Sequence, residues 1–141
     1  MSDWDDIDDW VEEEIEDLVK QAKDEAGKVF LTSVTSPTNF NVGTEAYGMG
    51  GNTPVRSGNL MANTEVGINS EPDGTNSSKD KEGINTFQKG ASKIKAAKAW
   101  DKIYFVNDTP YNIQAEFSGW VKTKPYRYWE LSYNDMLETI K

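Results

Sequence analysis

Residues 52–64 read NTPVRSGNLMANT. Thr53 stands before Pro54, and a residue before proline is pushed out of the helical region into an extended one. Ser57-Gly58 supplies a turn, because glycine takes positive φ without steric cost. Leu60 then drops into the core. The stretch holds one arginine, Arg56, and none of the usual nucleophiles in a catalytic setting. It reads as a corner, and the elements on either side decide the fold.

Upstream, residues 3–31 predict one long helix. Trp4, Ile7, Val11, Ile15, Leu18, Ala22, Ala26 and Val29 recur at steps of three and four and make a single stripe. Ser2 fits the N-cap, and the acids of the first turns suit the positive end of the helix dipole. Gly27 is a local weakness of roughly 1 kcal/mol against alanine. The helix fades over Thr32 to Pro37. Residues 36–54, rich in Gly, Asn, Thr and Pro, read as a long loop that orders against a partner.

Downstream, residues 59–68 suit a strand, or a short turn leading into one. Residues 69–92 have almost no apolar content, and 69–98 as a whole reads as a polar arm. Within it, 93–99 fits a helical turn or a strand edge. Residues 100–106, WDKIYFV, form the best strand in the chain, and Asn107 to Pro110 is turn chemistry. Residues 111–118 fit a strand by their period of two, or a short helix. Residues 126–140 predict a final amphipathic helix. The whole of 1–141 reads as a single α+β domain: a long N-terminal helix, a small, mainly antiparallel sheet, a C-terminal helix and long polar loops.

Composition narrows the chemistry. The 141 residues include no Cys and no His, which removes thiol catalysis, disulfides, the commonest zinc ligands and the usual general base near neutral pH. The net charge is −9, and its distribution is uneven. Residues 1–19 carry ten acids and no base; the remainder carries 14 acids and 15 bases. No apolar run approaches the roughly 20 residues of a membrane span, and the acidic N-terminus is unlike a signal peptide.

Several features invite a chemical reading. The acidic run lacks the glycine turn and spaced oxygens of a calcium loop. It reads as a solvated helix face, or as a negative surface turned towards passing DNA or a basic partner. Lys89, Lys93, Lys95, Lys98 and Lys102 form a cluster that fits a solvated loop, a mate for acidic neighbours, or phosphate contact. Gly48, Gly50 and Gly51 lack the following Lys-Ser/Thr of a phosphate loop. Glu116 and Glu130 are a carboxylate pair that nothing in the sequence singles out for acid–base work. Tyr126, Tyr128, Trp129 and Tyr133, at helical spacing, fit core or interface better than a ring-stacking site.

Two short motifs carry a resemblance. The corner has the form T-P-V-x-S-G-x-L, with Thr53, Pro54, Val55, Ser57, Gly58 and Leu60. The second motif comprises Asn107, Tyr111, Glu116, Phe117 and Gly119. With a long helix before, strands between and a helical part after, the pattern from about residue 3 to residue 137 resembles the HK97 gp10-like family of phage tail-completion and head–tail neck proteins. Arg56 stands where that family often has an acidic or polar residue, and Asn112 replaces the small residue that usually follows the tyrosine.

The resemblance implies a structural virion protein and not an enzyme, with no catalytic residues, no metal and no cofactor. Its copies would form a ring at the head–tail junction, as a tail-completion or terminator protein or in the neck. DNA would pass through without sequence-specific binding. The implied partners are the chain itself, connector proteins and tail-tube proteins, with no membrane; the place is the virion, after assembly in the host cytoplasm. The candidate channel-facing acids are then Asp5, Asp6, Asp8, Asp9, Glu12, Glu13 and Glu16, and the candidate interface residues are Trp4, Trp10, Trp120, Tyr126, Tyr128 and Trp129. A ring needs one face of a subunit to meet a different face of the next, and acidic helix against Lys-rich arm makes one such pair. The alternatives are an acidic interaction module that binds a basic protein, and a carboxylate-based hydrolase.

Overall fold

The expected N-terminal helix runs from Asp3 to Val34 (α1, 32 residues). The computed structural model describes residues 3–39, 53–55, 58–110, 112, 114–118 and 127–140, and at 3–6, 8, 37–39, 54, 55, 114 and 118 the backbone alone. Thr35 closes α1: its N–H and its hydroxyl both donate to the Leu31 carbonyl, at 2.9 and 2.7 Å.

The chain then forms β1 (Pro37–Asn39), β2 (Thr53–Val55), α2 (Asn59–Ala62), β3 (Thr64–Ile68), α3 (Ile84–Ala96), β4 (Ile103–Asn107), a π-helical turn (Gln114–Ser118) and α4 (Tyr128–Ile140). β3 and β4 are antiparallel, with Val66 opposite Phe105. β1 and β2 form a separate, short parallel pair, with Thr38 opposite Pro54. The architecture is α+β: a long N-terminal helix, a two-stranded antiparallel sheet and a C-terminal helix.

α1 packs on α4 and α3, and α3 packs on β3. The core gathers Phe30, Leu31 and Val34 of α1 with Leu60, Val66, Ile94, Ala115 and Tyr128. Each large side chain fully buried there contributes about 1.5–3 kcal/mol. Phe30 is the hub, with its ring centroid 4.5 Å from Phe105 and 5.1 Å, edge-on, from Trp129.

The structure corrects two expectations. The 69–98 segment is not a loose arm: its second half is α3, with Thr86, Gly90 and Ile94 buried. Small residues do much of that packing, so hydropathy undercounts it. The polar residues before α3 are fastened by side-chain amides and a carboxylate. Asn59 donates to the Asn76 and Ser78 carbonyls, and Asn63 accepts from the Asn76 N–H. Asp80 accepts from the Gly83 N–H, the Thr86 N–H and the Thr86 hydroxyl. Polarity here satisfies backbone groups and does not signal disorder.

Second, the 36–54 segment carries strands at both ends; residues 40–52 lie outside the described residues. The apolar stripe of α1 is not its core face. The buried seam is Gly27, Phe30, Leu31 and Val34, whereas Ala22 is exposed and Ala26 and Val29 are only half-buried. At 100° per residue, the seam lies roughly 150° around the helix from Ile7, Val11, Ile15 and Leu18. Gly27 is part of the seam: a Cβ there would stand 3.4 Å from Ile94 Cδ1. No helix among the described residues is long and apolar enough to cross a membrane.

Candidate interaction surface

The body grips α1 only from about Lys20 onward. Lys20 Nζ donates to the Ile94 and Lys95 carbonyls at 2.9 and 3.1 Å. Lys23 Nζ donates to the Ala99 carbonyl at 2.8 Å and to that of Asp101. Both lysines therefore serve the C-terminal end of α3 and the segment after it, where backbone carbonyls lack helical partners and a cation is favoured.

Beyond Lys20, α1 continues as an overhang. Residues 3–19 at 1.5 Å per residue give about 25 Å of helix. Its described side chains from Ile7 to Leu18 are all exposed. The apolar ones are Ile7 (49 %), Trp10 (63 %), Val11 (40 %), Ile15 (46 %) and Leu18 (58 %). A helix carrying an apolar stripe that its own fold leaves in water has the form of an interaction element, with anchors at i, i+4, i+8 and i+11. Asp9, Glu12, Glu13 and Glu16 are exposed on the same overhang. Asp5, Asp6 and Trp4 share it, as does Asp8, with only their backbone described.

On the body, residues 84–102 carry five lysines and one acid. Lys89, Lys93, Lys95, Lys98 and Lys102 are exposed, as is Trp100 at 66 %. This segment borders a cleft of about 440 Å³ between α1 and β4, lined by Ala26, Lys102, Ile103, Tyr104, Phe105 and Met136 among others. The acid of the segment, Asp101, is already engaged. Its carboxylate accepts from the Asn69 amide at 2.9 Å and the Lys98 N–H at 2.7 Å. These bonds hold its pKa below the usual carboxylate range.

The two sequence motifs meet in space. Asn107 Nδ2 donates to the Leu60 carbonyl at 2.8 Å and to Thr64 Oγ1 at 3.2 Å, so the second motif clamps the corner of the first. In that corner Thr53 is fully buried and its hydroxyl donates to the Val34 carbonyl. Gly58 has φ of 87°, as the turn requires, and its carbonyl accepts from the Asp80 N–H at 3.0 Å. Pro54 and Val55 lie in β2, and Leu60 is buried in the core.

Glu116, carried by the π-helical turn, accepts from the Trp129 and Glu130 N–H groups at 2.8 and 2.9 Å and so caps α4 from outside the helix. Burial pushes its carboxyl above the ordinary range; the two N–H groups oppose the shift. Asn107, Asn112, Glu116, Phe117 and Trp129 line one small cleft of about 170 Å³. Phe117 is 71 % exposed.

The remaining candidates divide. Tyr128 is 1 % exposed and belongs to the core, so its place among the interface residues is corrected. Its position at the start of α4, over the π-helical turn, turns it inward. Trp129 is half-buried against the same core. Ser57, Tyr111, Gly119, Trp120 and Tyr126 lie outside the described residues. The cleft residues Ile103, Tyr104 and Phe105 were legible only as a strand; Trp100 set among lysines was the signal for the surface beside them. No protein-family model, no curated protein and no solved structure matches this chain.

Proposed function

We propose that this chain is a structural protein of a tailed-phage virion, forming a ring at the head–tail junction as a tail-completion, terminator or neck component. The observation that carries the reading is the overhang of α1: an exposed apolar stripe on a helix whose other faces are acidic. Apolar residues displayed in this way call for a protein neighbour. Acids beside them discourage adhesion of the DNA that passes. The resemblance of the two motifs, clamped together through Asn107 and Leu60, supports the same reading. The chain acts without catalysis, beside connector and tail-tube proteins, and touches DNA without reading its sequence.

The test is the composition and imaging of washed virions from an infected culture that makes the chain. The expected result is a fixed copy number per particle and density for the chain at the head–tail junction. Absence from washed virions would overturn the reading.

A second reading draws on the charge of the same overhang. Ten acids without a base in residues 1–19 suit a module that binds a basic protein. It expects a monomer or dimer whose binding weakens steeply as salt rises.

A further inference from the structure

We infer that the overhang of one copy docks on the cleft between α1 and β4 of the next copy, so that successive copies join head to tail. The inference rests on the ring reading and names the contact that would build the ring.

Two partners are closed to the overhang. It cannot pair with the same segment of another copy, because each brings ten acids and no base, and like charges along a helix pair repel. Nor can it fold back on the lysines of its own chain. α1 is one continuous helix, and Ile7 lies about 20 Å along the axis from Lys20, where the body ends. The stripe therefore needs an apolar surface with basic flanks on another molecule.

The chain itself displays such a surface. The cleft beside β4 is lined mainly by apolar groups of Ala26, Ile103, Tyr104, Phe105 and Met136, together with Lys23, Lys102 and Asp101, whose carboxylate is already engaged by Asn69 and the Lys98 N–H. Its volume of about 440 Å³ falls within the roughly 300–1,000 Å³ of clefts that hold ligands. Exposed Lys95, Lys98 and Trp100 stand on the segment leading to it. By helical spacing, Glu14 flanks the stripe on one side and Glu12 on the other, each able to face a lysine across the contact. Donor and acceptor lie on different faces of one subunit, as a heterologous, ring-closing contact requires.

The experiment uses the full chain and two charge-reversal sets, followed by light scattering over a concentration series. One set is Lys95→Glu, Lys98→Glu and Lys102→Glu; the other is Glu12→Lys and Glu14→Lys. Each set alone should weaken self-association by about tenfold or more, and the two combined in one chain should restore it. A cooperative unfolding transition and a circular dichroism spectrum matching that of the natural chain show that the variants fold. Because the chain has no cysteine, Val11→Cys and Tyr104→Cys chains, mixed and oxidised, should form a disulfide-linked pair. Self-association unchanged by the lysine set, or a monomer at every concentration, overturns this contact. Those results leave the virion reading standing, since that reading fails on absence from washed particles.

Discussion

Lys20 Nζ lies 2.9 Å from the carbonyl oxygen of Ile94, 74 residues further along the chain. Among the described residues this bond and its companion to Lys95 are the ties nearest the N-terminus between α1 and the body. They mark where the helix stops being part of the core and becomes an overhang. Replacing Lys20 by methionine keeps most of the side-chain stem and removes the ammonium from the last turn of α3. The expected loss is about 1 kcal/mol of stability, read from urea unfolding, with helix content unchanged by circular dichroism.

Glu116 gives the protein a pH signature. Folding raises its pKa above the ordinary value of 4.5, chiefly by burial, so the folded chain keeps the proton to higher pH than the unfolded chain. Its contribution to stability is full below the ordinary value and falls as pH climbs through the folded one. Glu116→Gln removes that titration, so its melting temperature should decline less than that of the natural chain over this window. Asp101 works the other way and lower on the scale. Its carboxyl is held below 3.8, first by the Asn69 amide and then by the Lys98 N–H, so its contribution is lost only as pH falls through that lower value.

Two helix glycines should respond oppositely to alanine. At Gly27 the added Cβ meets Ile94 Cδ1 at 3.4 Å and Phe105 Cζ at 3.7 Å, ordinary contact distances. Gly27→Ala should therefore stabilise by roughly 0.5–1 kcal/mol through helix propensity. At Gly90 the Cβ meets Leu31 Cδ2 at 2.8 Å and Val66 Cγ2 at 3.0 Å, and Leu31 and Val66 are locked in the core. Gly90→Ala should destabilise by about 1–3 kcal/mol. Thermal unfolding of the two variants side by side decides both signs.

The sequence displayed the helices and the main strand because those signals are periodic and strong. α1 and α4 follow from apolar spacing, β4 from its aromatic and β-branched residues, and the corner at Thr53 to Leu60 from proline and glycine chemistry. α3 was hidden because Gly90 and Ala91 pack where a periodicity reading looks for large residues. The fastening of residues 76–86 depends on Asn59, Asn63 and Asp80 reaching backbone groups that are distant or outside regular structure, which no local pattern reveals. The most consequential feature lies in α1. The spacing marks one continuous stripe and not which face is buried; the core takes a seam built around Gly27 and leaves the stripe of Ile7 to Leu18 open. Spacing shows that a face is apolar; only tertiary packing shows whether the chain covers it itself.

The central claim is that this open stripe holds copies together. The direct measurement is the mass in solution of the full chain and of a chain lacking residues 2–19, by light scattering over the same concentrations. The account predicts a discrete, closed-ring mass for the full chain and a monomer for the truncated one. The truncated chain should still unfold cooperatively, because among the described residues none of the core cluster lies within 2–19. A truncated chain that keeps the oligomeric mass of the full chain would contradict the account.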